Sequence, residues 1–292
     1  MKRFDYLAPE SLEEALAILR ERGNGCKLLA GGTDLVVQMK EAGLHPSYVV
    51  SLRRLRELRG IAFDERQGLR IGAMTTMAEV EQHPGLQRRY AVLVDGARIL
   101  GSVQTRNMAT LGGNVCNAAP SADTAPPLLV LGARADIAGP GGRRQVPLEQ
   151  FFTGPGQTVL GRDEILAGLL IPTPASRTGA CYERHTPRAE MDIAVVGEAA
   201  LVTLEPGGDL IREARIALGA VAPTPVRAPE AEASLAGQPP SEEAFQRAAE
   251  LAAAAARPIS DVRASAAFRR HVVQVMSARC LRRAVERARS EA

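Results

Sequence analysis

The stretch KLLAGGTDLVVQMK, residues 27–40, sets two adjacent glycines between an apolar run and the first turn of an amphipathic segment. CKLLA at 26–30 reads as a short buried strand, and DLVVQMK at 34–40 reads as a helix for which Thr33 or Asp34 serves as cap. Gly31 and Gly32 therefore occupy a strand-to-helix turn. Such a turn suits an anion, because glycine lets bare backbone approach a ligand and the first N–H groups of a helix lack acceptors of their own. A plain tight turn needing a positive φ would ask for the same residues.

A second passage repeats the chemistry. In TLGGN, residues 110–114, Thr110 offers a hydroxyl, Gly112 and Gly113 offer close backbone approach, and Asn114 offers an amide that donates and accepts. Two such loops could grip one long ligand. The GxGxxG and GxxxxGK[ST] patterns are absent, so neither a Rossmann fingerprint nor a P-loop is present. A different phosphate-bearing cofactor is implied.

Around these passages the pattern alternates between helix and strand. Ser11 and Glu14 form a candidate capping box ahead of LEEALAILRER, whose Leu12, Leu16 and Leu19 line one face before Gly23 stops the helix. YVVSL at 48–52 and the pair within GIAFDERQGLRIGA at 60–73 read as strands, the last two joined by a turn at 65–68. Thr75 or Thr76 caps a helix ending near Pro84, and a helical period runs through GLQRRYAVLVDGARILGS from 85. GPGG at 139–142 separates two further strands, and DEILAGLLIP at 163–172 supplies another. A polar, breaker-rich TPASRTG marks a boundary near 174–178. Beyond it come a hairpin turning at 206–209 and two strong helices, which give an α+β reading with segregated elements.

Composition narrows the function. With 292 residues, 46% apolar and 24% charged, the chain can bury a large core and divides into two domains. A net charge of +3 and 3% aromatic content argue against nucleic-acid binding. No apolar run of about 18 residues occurs, and the N-terminus has no secretion pattern, so a cytoplasmic protein without a membrane span is expected. Cys26, Cys116, Cys181 and Cys280 are far apart in sequence and read as reduced structural thiols; the four histidines show no ligand spacing, and no metal site is expected. The arginine-rich final helix reads as a solvated face with snorkelling side chains, the alternative being arginines that dock an acidic partner surface.

LLAGGTDL at 28–35, TRNMATLGGNVCNAAPSAD at 105–123 and DEILAGLLIP together resemble the FAD-binding medium subunit of the molybdenum hydroxylases, the group of xanthine dehydrogenase and carbon monoxide dehydrogenase. YERHTPRAEMDIAVVGEAA at 182–200, ALGAVAPTPVRAPEAEASLAG at 217–237 and ISDVRASAAFRRHVVQVMSARCLRRAV at 259–285 are similar to the C-terminal domain of those subunits. The resemblance implies an α+β chain with an FAD-binding domain of the vanillyl-alcohol oxidase and p-cresol methylhydroxylase type at 1–176, in lobes of about 1–55 and 56–176. A smaller α+β domain at 177–292 follows.

It also implies non-covalent FAD, since neither glycine passage carries a histidine or cysteine for attachment, and no cysteine-rich insert for a further cluster is present. Molybdenum–pterin and [2Fe–2S] centres would lie in a large and a small partner subunit, assembled as a dimer of heterotrimers. Electrons would pass from the clusters to the flavin and on to NAD+, oxygen or another acceptor. No catalytic side chain is implied. Leu29, Ala30, Gly31, Gly32, Thr33, Asp34 and Leu35 match the first cofactor loop, and Thr110, Leu111, Gly112, Gly113 and Asn114 match the second. Asp123 matches an acidic cofactor contact, Leu100 and Leu166 match apolar neighbours of a ring, and Ile193 is a further candidate there. Arg184 stands where relatives carry lysine. The alternatives are a self-sufficient flavoprotein oxidoreductase on the same fold and an interaction subunit that has lost FAD.

Overall fold

The computed structural model describes residues 1–290 except 65, 67 and 209. At the N-terminus β1 (Asp5–Leu7), α1 (Leu12–Arg22), β2 (Cys26–Leu29), α2 (Leu35–Glu41) and β3 (Tyr48–Ser51) build a parallel three-stranded sheet in the order β1-β3-β2. Central β3 buries Val49 and Val50, whereas β2 is an edge strand and only half-buried, contrary to the sequence reading. Ser11 caps α1 by accepting the Glu14 N–H at 3.1 Å. The expected capping box does not close, because the Glu14 carboxylate takes the N–H of Glu10, one residue too early, at 2.8 Å. Leu12, Ala15 and Leu19 are the buried face, and Gly23 ends the helix at φ +59°.

The middle of the chain carries β4 (Ile61–Asp64), β5 (Gly68–Gly72), α3 (Met77–Gln82), α4 (Pro84–Arg89), α5 (Ala91–Arg98), α6 (Val103–Met108), α7 (Leu111–Asn117), α8 (Ala125–Val130), β6 (Arg134–Gly139), β7 (Gly142–Pro147), β8 (Phe152–Gly154), β9 (Gln157–Thr158) and β10 (Ile165–Ile171). The expected turn at 65–68 falls partly outside the described residues. Thr76 and Glu79 form a complete capping box on α3. The helical run from 85 breaks in two at Tyr90, whose ring is buried at 1% exposure and whose backbone leaves the helix at φ −132°. An antiparallel sheet, β4-β5-β10-β6-β7, has the apolar β10 at its centre, and β8 pairs with β9 separately.

The last third is a meander of β11 (Thr178–His185), β12 (Val196–Leu204), β13 (Ile211–Gly219) and β14 (Val226–Arg227), followed by α9 (Pro229–Leu235), α10 (Glu242–Ala255) and α11 (Ala266–Ser290). The turn expected at 206–209 also lies partly outside the described residues. All nine residues of β12 are buried, because the sheet is covered on both faces. Alternation along the strands divides the contacts. Tyr182, Ala199, Leu201 and Ala217 join the core that holds α5 and α8, whereas Cys181, Ala200, Val202, Ile216 and Leu218 pack under α10 and α11. Each fully buried leucine here contributes about 2 kcal/mol.

The basic helix α11 is a solvated face only in part: Arg270, Arg279, Arg282, Arg283 and Arg289 are exposed, whereas Arg269 is buried and Arg287 half-buried. Arg269, 3% exposed, donates to the carbonyls of Val195 and Ala220 and to Asp261. Arg287 reaches Asp95 on α5 and the carbonyl of Ala180, Arg279 and Arg283 both reach Glu183, and Arg282 pairs with Glu242 on α10. These side chains tie α11 to both neighbouring layers. Among the described residues no helix is long and apolar enough to cross a membrane.

Candidate functional site

A cleft of about 480 Å³ opens between the β2–α2 turn, the start of α7 and the central strand β10, with residues 192–194 closing one side. Its apolar floor includes Leu28, Leu52, Met74, Leu100, Ile165 and Leu166. That size and lining suit an extended organic ligand.

The first glycine passage works by two separate means. Gly32 has φ +79°, a conformation that favours glycine, so the tight-turn requirement is met at this residue. Gly31 has another reason: a Cβ there would lie 2.0 Å from the Met108 carbonyl oxygen. The close approach is thus to the protein's own backbone at the end of α6. Among the described residues no acceptor takes the backbone N–H of Gly32, Thr33, Asp34 or Leu35, while the carbonyls of Gly32 and Asp34 accept from Val36 and Gln38. All four residues line the cleft. They form a run of free donors.

The second passage differs from its sequence reading. TLGGN is no loop; Thr110 is the N-cap of α7 and the two glycines sit in its first turn. Its N–H groups are already satisfied: Leu111 donates to Thr75 O, Gly112 to Ala73 O, Gly113 to Thr110 Oγ1 and Asn114 to Thr110 O, all at 2.9–3.1 Å. Gly112 is dictated by packing, since a Cβ would stand 2.5 Å from Ala73 Cβ. What α7 offers the cleft is amide side chains. The Asn114 carbonyl oxygen accepts from Thr124 Oγ1 at 2.6 Å, which orients its NH2, and Asn117 accepts from Gln38 across the cleft at 3.3 Å.

Asp123 lines the cleft at 7% exposure, and Arg184 does not face it. The two instead pair with each other: Arg184 Nη1 donates to Asp123 Oδ2 at 2.7 Å, and the Tyr182 hydroxyl donates to Oδ1 at 2.9 Å. Burial raises the Asp123 carboxyl to about 6, against the opposing pull of the Arg184 charge and the two hydrogen bonds. Burial likewise raises Asp34, and it pushes the Cys116 thiol up to about 12, so that thiol stays protonated. Asp192 is lowered by its hydrogen bonds from Arg188 and the 193 backbone. No lysine or arginine lines the cleft among the described residues. Any anion held there meets backbone donors rather than side-chain cations.

Of the other residues singled out in sequence, Ala30, Gly31, Leu100, Thr110, Gly113, Leu166 and Ile193 line the cleft. Leu29 and Leu111 do not: Leu29 lies against the Gly32 backbone, and Leu111 is fully buried in the core. Gln38, Asn117 and Ser121 also line the cleft and Tyr182 touches Asp123, none of which the sequence motifs reveal. Helical spacing held the signal for two of them, since Gln38 follows Asp34 by four residues and Asn117 follows Asn114 by three.

Comparison with known proteins gives two family models in chain order: the FAD binding domain in molybdopterin dehydrogenase over residues 2–174, and the CO dehydrogenase flavoprotein C-terminal domain over residues 182–284. A xanthine dehydrogenase FAD-binding subunit of Escherichia coli O157:H7 is 36% identical over 284 residues, 97% of this chain and 96% of the relative. A carbon monoxide dehydrogenase medium chain of Hydrogenophaga pseudoflava is 35% identical over 279 residues, 96% of each chain. The solved carbon monoxide dehydrogenase of that organism, in a form lacking the Mo-pyranopterin moiety, superimposes with a TM-score of 0.94 and 36% identity, covering 98% of both chains.

Proposed function

The chain belongs to the family of FAD-binding medium subunits of molybdenum hydroxylases, and from that premise we propose that its cleft holds FAD non-covalently as the electron relay of a heteromeric oxidoreductase. The observation that carries the reading is the run of N–H groups at Gly32, Thr33, Asp34 and Leu35 that, among the described residues, have no acceptor and line a cleft with an apolar floor and no lysine or arginine. A diphosphate fits a run of backbone donors. The Asn114 NH2 and the Thr33 hydroxyl add donors, and Asp123 adds an acceptor for a hydroxyl or ring N–H of the cofactor. Leu100, Leu166 and Ile193 would give apolar contact for a ring.

When bound, FAD supplies redox chemistry between one-electron clusters and a two-electron acceptor. The protein's own part is to bind, orient and shield it. The [2Fe–2S] donor and the molybdenum–pterin centre would sit in a small and a large partner subunit, in a cytoplasmic dimer of heterotrimers. The acceptor would be NAD+, oxygen or another carrier. Residues 1–176, in lobes of about 1–55 and 56–176, would form the FAD-binding domain of the vanillyl-alcohol oxidase and p-cresol methylhydroxylase type, and 177–292 the C-terminal domain. Similarity along almost the full length of such medium chains supports this division of labour.

The test is to purify the chain and record its visible absorbance. A flavin spectrum is expected, with the chromophore released to the supernatant on acid precipitation. A colourless protein that takes up no added FAD overturns the proposal. Co-expression with candidate partners should yield one complex containing iron and molybdenum, and a flavoprotein that oxidises an organic substrate alone would favour the self-sufficient alternative instead.

A further inference from the structure

Asp123 is gripped at both oxygens by residues that stand two apart on the same face of β11. The Arg184 and Asp123 side chains are only 6% and 9% exposed. A carboxylate oxygen has about two acceptor positions, so each oxygen keeps one free for a ligand in the cleft. The grip is itself buttressed. Gly197, paired in register with Arg184, is the residue that admits the phenol, because a Cβ there would lie 2.6 Å from the Tyr182 oxygen. On the other side the Asp123 backbone rests on α5, where a Cβ at Gly96 would come within 2.5 Å of its carbonyl oxygen.

We propose that Tyr182 and Arg184 are positioning residues that keep the Asp123 carboxylate ionised and fixed as a hydrogen-bond acceptor for the cofactor, so that the C-terminal sheet governs how tightly the cleft retains FAD. The inference rests on the reading of the cleft as the FAD site. It reassigns Arg184 from cofactor contact to partner of Asp123. Tyr182 becomes a functional residue with no contact to the cleft.

A dependence on pH follows. Asp123 loses its charge as pH falls through about 6, and the acceptor then becomes in part a donor. Asp95 on α5 accepts from the Tyr182 N–H and is paired with Arg287; Asp192 is tied to Arg188; the Cys116 thiol on α7 stays protonated. Asp34, across the cleft, is raised by burial and loses charge in the same direction. FAD affinity should therefore weaken on acidification, and removing either donor should move that weakening to higher pH.

The experiment titrates FAD into the cofactor-stripped chain by flavin fluorescence between pH 5 and 8, for wild type, Tyr182→Phe, Arg184→Lys and Arg184→Met. Alongside it, the Asp123 carboxyl is titrated by carbon NMR in the cofactor-free protein, with melting temperatures as a check on folding. Tyr182→Phe should bind about tenfold more weakly at pH 7.5, the scale of one hydrogen bond to a charged group. Its acid limb should move upward, and Asp123 should titrate higher. Arg184→Met should show a larger change of the same kind, and Arg184→Lys should restore most of it because the charge is kept. A Tyr182→Phe protein whose Asp123 titration and FAD affinity match wild type at every pH overturns the positioning role. A wild-type chain that titrates at Asp123 but never binds FAD overturns the reading of the cleft beneath it.

Discussion

Replacing Gly31 with alanine adds one carbon at 2.0 Å from Met108 O, 2.8 Å from Met108 C and 3.0 Å from Ala109 Cα. An ordinary carbon–oxygen contact is about 3.3 Å, so one of the two segments must retreat by more than ~1 Å. Residues 108–109 are poorly placed to yield, since Ala109 donates to Thr105 O at 2.7 Å and accepts from Met77 N at 2.9 Å. Overpacking of this kind costs about 1–3 kcal/mol, and one broken hydrogen bond adds about 1 kcal/mol. Gly31→Ala should thus lose roughly 2–4 kcal/mol of stability, or displace the β2–α2 turn and weaken FAD binding by about 30-fold for each ~2 kcal/mol diverted there. Gly43→Ala is the control: its φ is +70° and nothing lies within 4 Å of its Cβ, so it carries backbone strain without collision. Urea melts of the FAD-free chain and FAD titrations measure both routes. If Gly31→Ala proves no worse than Gly43→Ala in both assays, the argument that this glycine exists for the 108–109 crossing is wrong.

Arg269→Met strands the buried Val195 carbonyl, the half-buried Ala220 carbonyl and the Asp261 carboxylate and should cost about 3 kcal/mol, read as a lowered urea midpoint with an unchanged slope. Thr110→Val keeps the shape of the α7 cap but removes its acceptor for Gly113, so about 1 kcal/mol of stability and part of the FAD affinity should go together. Glu198 is fully buried, and burial pushes its carboxyl well above its ordinary value against the opposing pull of the neighbouring Ser277 hydroxyl. A carboxyl raised by folding favours the native state below its unfolded value of 4.5 and loses that advantage as pH climbs toward the folded value. Glu198→Gln should therefore melt higher than wild type, by a margin that grows between pH 5 and 8; a margin that shrinks would refute the burial argument.

The order of helices and strands was legible because period and punctuation are local properties. β10 reads as an apolar run, the GPGG turn joins β6 to β7, and Ser11 and Thr76 announce their helices. The two glycine passages were also found, yet their physics was divided differently from their look-alike letters. Gly32 through Leu35 keep free N–H groups, whereas those of α7 are consumed by residues 73, 75 and 110, a pairing between distant segments that no local spacing displays. The Asp123 pairing was hidden for the same reason, as its partners lie 59 and 61 residues away. The ion pairs of the α11 arginines are hidden in sequence because a helical wheel records only the helix's own charges. Asp95, Glu183 and Asp261 arrive from other elements.

The face of the C-terminal meander that packs on α5 and α8 has a consequence for hybrids between relatives. A gene fusion joined in the 172–177 segment would bring a foreign β11 against a resident α5 and resident Asp123. Two couples, Asp95 with Arg287 and Asp123 with Tyr182 and Arg184, then act as a lock and its key. Halves drawn from donors that match at both couples should assemble into a yellow protein, and mismatched halves should fold yet come out bleached.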